Sequence, residues 1–283
     1  MNPITLDHSD VVALLPDRDP SAHKGNFGKL LLLCGSRGYT GAACLSAMGA
    51  LRVGAGLVYL GVPEGIYPIV AGKLLEPVVF PLAEKDGMMA IGSIKDGIEQ
   101  HCAYADAVLI GPGIGRSKDT EEILKWLLLN YKGTIVIDAD GISLLRNHID
   151  LLRGRTDPVI LTPHEGEFKR LTGMFCRDRI QDAVTAAGQL GCIMVLKGHD
   201  TVITDGKTVY VNPTGNPGMA VGGCGDVLAG MTVGLLGQGL DPLMAAGVAA
   251  WVHGAAGDIC AERIGMYGML PSDMLEVIPR LLK

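Results

Sequence analysis

The chain has 283 residues, 24 Lys plus Arg against 30 Asp plus Glu for a net charge of −6, and a hydrophobic share of 48% against 19% charged. That composition excludes a disordered chain, which needs low hydrophobicity and high charge, and the length excludes a disulfide-stapled miniprotein. The acidic balance, with no basic run and no aromatic-plus-arginine stretch, argues against a nucleic-acid partner.

Cysteine usage and the N-terminus bear on location. Cys34, Cys44, Cys102, Cys176, Cys192, Cys224 and Cys260 are scattered, odd in number and never spaced C-x-x-C, so neither a disulfide framework nor a zinc ribbon is written here. They read as thiols of a reducing, cytoplasmic setting. Residues 1–20 carry Asp7, Asp10, Asp17 and Asp19 without an apolar segment of signal-peptide length, and Gln238, Asp241 and Pro242 interrupt the apolar tract after Met231. Neither secretion nor a membrane span is expected.

In chain order, strand-like runs alternate with helix-like runs, the pattern of a mostly parallel sheet with helices on both faces. Lys29 to Cys34 is a short apolar run followed by a glycine-rich turn and a small-residue helix from Gly41 to Val53. Leu57 to Val62, Ala107 to Ile110, Thr134 to Ile137, Pro158 to Leu161 and Ile193 to Leu196 are further core strands. Thr201 to Thr204 and Thr208 to Asn212 flank Asp205-Gly206, a hairpin signal that predicts an antiparallel edge. The last third reads as helices over Gly225 to Leu236, Pro242 to Ala261 and Pro271 to Leu282. With no linker or composition break, the expectation is one domain over residues 1–283.

Glycine, at 40 residues, is about twice its usual share of about 7%, and it gathers in turns. Two glycine motifs are decoys. Gly206-Lys207-Thr208 ends like a phosphate-binding loop, but Thr201 stands where the leading glycine is required, and Gly35, Gly38 and Gly41 are spaced G-x-x-G-x-x-G rather than as a dinucleotide fingerprint. The informative stretch runs from Asn216 to Gly230. Gly222, Gly223 and Gly225, with Cys224 among them, leave amides unshielded where a helix opens, which is an anion hole by geometry and dipole. Asp226 follows at once. A carboxylate there repels a bound phosphate, so its task is to orient or deprotonate a hydroxyl attacking that phosphate; the plainer alternative is a charge that complements the helix start.

Lys197-Gly198-His199-Asp200-Thr201 closes an apolar strand and places a lysine for a nucleotide phosphate or ribose. Thr162 to Glu167 and Asp138 to Gly141 follow other strands, and loops after parallel strands converge on one crevice. His164-Glu165 is no zincin pair, because Phe168 stands where the second histidine belongs. Glu167 could hold magnesium through water, while Asp138 and Asp140 read equally well as strand-end caps. His8, His23, His101, His148 and His253 read as structural.

These segments together name a family. Gly215 to Ala220 with Gly222 to Gly230, Leu196-Lys197-Gly198, Thr162-Pro163-His164 with Gly166-Glu167, Asp138-Ala139-Asp140, Gly111 to Gly115 and Gly54 to Val58 closely resemble the ADP- or ATP-dependent NAD(P)H-hydrate dehydratases, in chain order from Gly25 to Lys283. The resemblance implies a three-layer ribokinase-like α/β fold. It also implies return of the S-form of hydrated NADH or NADPH to the reduced cofactor, with Mg2+ and with ADP or ATP phosphorylating the added hydroxyl before phosphate leaves. By position, Lys197 to Thr201 and Gly222 to Gly225 become the adenine-nucleotide contacts and Asp226 the catalytic base. Ala43, Gly115, His164 and Asp226 become contacts for the hydrated dinucleotide, Glu167 the acid near magnesium, and the assembly a homotetramer.

Two departures concern rate rather than reaction type: the family often has a hydroxyl residue at Cys224 and Thr at Val221. Many members also carry a preceding epimerase domain; with only a short segment before Gly25, none is expected here. Two other readings share the anion hole: a kinase of the same fold acting on a vitamin-precursor alcohol, and a nucleotide sensor without turnover.

Overall fold

The computed structural model describes residues 2–283. Nine strands form one sheet: β1 (Lys29–Leu33), β2 (Leu57–Pro63), β3 (Val78–Leu82), β6 (Ala107–Ile110), β7 (Thr134–Ile137), β8 (Val159–Leu161), β9 (Ile193–Leu196), β10 (Thr201–Thr204) and β11 (Val209–Asn212), while β4 (Glu84–Lys85) and β5 (Met88–Met89) make a separate small hairpin. The spatial order is β11-β10-β9-β8-β7-β6-β1-β2-β3. All pairings from β3 to β9 are parallel, and β10 pairs antiparallel with both β9 and β11, so the expected antiparallel edge is present. The hairpin turns at Asp205, whose Oδ1 accepts the amides of Lys207 and Thr208 at 2.8 and 2.7 Å.

The four leucines of β1 show how the three layers arise. Successive side chains on a strand point to opposite faces, so Leu30 and Leu32 enter one core and Leu31 and Leu33 the other, all without exposed surface. Each such leucine contributes about 1.5–3 kcal/mol. On the first face lie the helices Thr40–Arg52, Cys224–Gly237 and Pro242–Ile264; on the second lie Lys118–Asn130 and Arg179–Leu190. By length and composition Pro242–Ile264 could cross a membrane, but 78% of its most apolar window is buried inside the molecule, which marks the core helix of this fold.

Helices Thr40–Arg52 and Cys224–Gly237 pack backbone to backbone. A methyl on Gly49 would lie 2.6 Å from the Val227 carbonyl, and one on Gly230 would collide with the Ser46 carbonyl. Glycine is required at this crossing, and the crossing fixes where the Cys224 helix begins. Strand β3 was not among the expected strands. It contains Pro81 and is half exposed, properties confined to a sheet edge, and its pairing with β2 defines it. The final helix is shorter than expected, running Pro271–Val277 before tightening into a 3-10 turn at Ile278–Leu281.

Candidate active site

Parallel strands deliver their C-terminal loops to one rim, and the strongest polar cluster sits there. Lys197, which follows β9, donates from Nζ to Asp138 Oδ1 at 2.8 Å; the lysine side chain is 20% exposed and the aspartate 2%. The same Asp138 oxygen accepts the Thr162 hydroxyl at 2.7 Å. Lys197 also donates its amide to the Pro163 carbonyl at 2.8 Å, which seams the loops after β8 and β9 together. Burial works against the lysine's charge, but the carboxylates of Asp138, Glu167 and Asp226 outweigh it and hold the pKa above the ordinary value.

Over this pair stands the first turn of helix Cys224–Gly237. A methyl on Gly225 would lie 3.3 Å from Lys197 Nζ and 3.8 Å from Asp138 Oδ2, so absence of a side chain lets the helix start rest on the ion pair. The cap, Gly223, has φ +104 and brings no side-chain acceptor, and a methyl there would meet Leu45 at 2.6 Å. Among the described residues the amides of Gly222, Gly223, Gly225 and Asp226 donate to no protein acceptor. Four orphan donors at a helix start form an anion cradle.

Asp226 belongs to that turn. Burial above all, and then the charge of Asp138, raise its carboxyl to about 7, with Lys197 pulling the other way. A carboxylate tuned near neutrality suits a general base.

The other expected residues are distributed around this centre. Gly198 has φ +154 and is tied to Thr201 by mutual hydrogen bonds of 3.3 and 3.0 Å, while Asp200 takes φ +53 and His199 projects into solvent. His164 caps helix Glu165–Thr172, its Nδ1 accepting the amides of Gly166 and Glu167 at 3.0 and 3.4 Å. Glu167 reciprocates by accepting the His164 amide at 3.0 Å, and its other oxygen is 3.4 Å from His164 Nε2. Gly115 donates its amide to Asp140 Oδ2 at 3.1 Å and lies against Met88. Ala43 is fully buried against Gly35, which leaves its side chain no free surface.

The two aspartates after β7, equivalent in sequence, separate here. Ala139 between them takes φ +50 and ψ −116, a conformation costing about 1–3 kcal/mol for a residue with a side chain. That kink aims Asp138 at Lys197 and Asp140 at Gly115 and Arg116.

One residue escaped the sequence reading. Asp258, on helix Pro242–Ile264, accepts the Gly215 amide and the Asn216 side-chain amide, both at 2.9 Å, and so anchors the loop entering the cradle. His253, read as structural, lies beneath Cys224; burial first, then the charge of Lys197, push its pKa down to about 4, so it stays neutral there. Spacing to Gly254 and Gly257 on one packed face was the only available signal. Among the described residues no three His, Cys, Asp or Glu side chains converge to hold a metal ion.

The strand order with its antiparallel edge, and the loops gathered at one end of the sheet, define a ribokinase-like protein. A solved ribokinase-like superfamily protein from Enterococcus faecalis aligns over 98% of this chain and 94% of its own, at 28% identity and a TM-score of 0.86. The profile of the NAD(P)H-hydrate dehydratase family matches residues 30–280, and the chain belongs to that family. It is similar to the ADP/ATP-dependent NAD(P)H-hydrate dehydratase of Bacillus subtilis, co-crystallised with ATP/Mg2+, with 32% identity, a TM-score of 0.83 and coverage of 99% of this chain and 98% of that one. It is also 42% identical over 275 residues to the bifunctional NAD(P)H-hydrate repair enzyme Nnr of Moorella thermoacetica, covering 95% of this chain and 52% of that protein. The chain thus spans about half the length of the curated relatives it matches.

Proposed function

We propose that this chain dehydrates the S-epimer of hydrated NADH or NADPH to the reduced cofactor, using ADP or ATP as phosphoryl donor. The observation that carries the reading is Asp226: a half-buried carboxyl with its pKa at about 7, set in the first turn of a helix whose opening amides have no protein partner.

In the first step Asp226 takes the proton of the ring hydroxyl as its oxygen forms a bond to the terminal phosphorus and the bond from that phosphorus to the bridging oxygen breaks. The amides of Gly222, Gly223, Gly225 and Asp226 hold the phosphoryl oxygens where negative charge accumulates. Lys197 stays charged because Asp138 holds it, and it balances charge below the cradle. In the second step the ring carbon–oxygen bond breaks, phosphate departs with the bonding pair, and a proton lost from the neighbouring carbon restores the double bond. The loop Lys197 to Thr201 receives the adenine nucleotide; Gly115 and His164 border the dinucleotide, with Ala43 behind them.

The residues present fit Mg2+ in the way that ion usually binds beside phosphates, through one or two carboxylates, water and the nucleotide itself, rather than in an all-protein cage. Glu167 would hold it through water, because its oxygens already serve the His164 cap. The ion neutralises phosphate charge when bound.

A cytoplasmic location and a homotetramer complete the proposal. The seven cysteines are all free, and Met266, Tyr267 and Leu270 are exposed, whereas the Ala-rich helix Pro242–Ile264 mostly faces the core. A monomer mass in size-exclusion chromatography would reject the tetramer. The activity is tested by mixing the protein with hydrated NADH and ADP or ATP: reduced-nicotinamide absorbance should return, and its failure to return with either donor would reject the reading.

A further inference from the structure

We propose that Arg179 is a positioning residue for the phosphoryl donor: its guanidinium braces Gly198 and ties the loop Lys197 to Thr201 to the start of helix Glu165–Thr172. This deepens, and rests on, the assignment of that loop to the adenine nucleotide given above.

Arg179 opens helix Arg179–Leu190, and a cation in the first turn opposes the helix dipole, so its own helix gains nothing from the charge. The side chain reaches elsewhere. Nη2 donates to the carbonyl of Leu196, the last residue of β9, at 2.9 Å, and Nη1 pairs with Glu165, the first residue of helix Glu165–Thr172. Nε is buried and meets no acceptor among the described residues. A buried donor left unpaired costs stability, which a side chain placed only to cross-link the fold would avoid. The placement serves the two nitrogens at the tip of the fork.

Those nitrogens lie against Gly198. A methyl on Gly198 would fall 2.8 Å from Nη2 and 3.0 Å from Nη1, so the guanidinium occupies the space a side chain there would need. Gly198 also takes φ +154, and its mutual hydrogen bonds with Thr201 hold the far side of the loop. Lys197 is anchored independently, by Asp138 at Nζ and by Pro163 at its amide. Arg179 therefore sets where the loop after the lysine lies without setting the lysine itself. Meeting Glu165, Leu196 and Gly198 at once takes a planar fork, which an ammonium lacks.

Calorimetric titration of the whole chain with ADP and ATP, beside steady-state kinetics on hydrated NADH, tests the proposal. Arg179→Met should weaken donor binding and raise the donor KM by about tenfold, while kcat at saturating donor stays within about twofold. Arg179→Lys should melt close to the wild type yet keep most of that loss. Thermal melts check folding, and should Arg179→Met fail to fold, the lysine variant carries the test. A merely structural arginine would move the melting temperature and leave the donor affinity of the folded protein as it is. Wild-type donor affinity in folded Arg179→Met, full affinity in Arg179→Lys, or a loss confined to kcat would each overturn the proposal and leave the reading of the site standing. A wild type that binds neither ADP nor ATP would remove that reading, and the proposal with it.

Discussion

Lys197 Nζ meets Asp138 Oδ1 at 2.8 Å directly beneath the opening turn of the Cys224 helix, joining residues 59 positions apart. The pair supports the cradle from below and shapes the titration of Asp226 above it. Asp138 raises that carboxyl and Lys197 lowers it, with burial the larger influence.

The first prediction concerns the base. Asp226→Asn should retain adenine-nucleotide binding and lose turnover by about 10²–10⁴-fold, the usual worth of a positioned proton acceptor. Since the acceptor must be ionised, wild-type kcat/KM should rise as pH passes through about 7. Nucleotide titration beside a pH–rate profile checks both halves; an unchanged turnover in the asparagine variant would remove Asp226 from the chemistry.

The same residue predicts a stability effect. The folded-state pKa is raised from 3.8 to about 7, so between those values the folded chain holds a proton that the unfolded chain releases. That contribution to stability is fully present below about pH 4 and is lost as pH rises through 7. Asp226→Asn should therefore raise the melting temperature at pH 8 more than at pH 5, and equal shifts at both would contradict the burial of this carboxyl.

Neighbouring glycines of the cradle should behave differently. Nothing of the protein lies within 4 Å of a methyl built on Gly222, whereas Gly223 has φ +104 and such a methyl would strike Leu45. Gly222→Ala should melt like the wild type but bind nucleotide more weakly, because only a ligand occupies that space. Gly223→Ala should lower the melting temperature as well. Paired melting and nucleotide titrations distinguish the two.

Removing the lysine should be costly. Lys197→Met leaves Asp138 buried without its counter-charge, and breaking such a pair costs about 3–5 kcal/mol, with partial exposure of the lysine placing the loss near the lower value. Adding Asp138→Asn should recover part of the stability, although not activity. Chemical denaturation of the single and double variants measures the coupling.

Helix packing should also reach the site. Gly230→Ala drives a methyl into the Ser46 carbonyl and must part helices Thr40–Arg52 and Cys224–Gly237. A lower melting temperature together with a higher KM for nucleotide is expected, since the second helix carries the cradle at its start.

Sequence alone determined the alternating architecture, the hairpin edge, the glycine-rich helix start with Asp226, and Lys197 at the end of a core strand. These are local: periodicity reports which face of a strand is buried, and glycine, proline and turn residues mark where elements begin and end. Tertiary structure alone decided the rest. It separated Asp138 from Asp140 through the kink at Ala139, placed Asp258 behind the loop at Gly215, set neutral His253 beneath Cys224, and admitted β3 as an edge strand despite Pro81. Each of these depends on which distant backbone comes within reach, and a one-dimensional pattern carries no record of that. The carboxyl of Asp226 shows the division: its position could be read from the chain, but its pKa of about 7 arises only when folding buries it and brings Asp138 and Lys197 alongside.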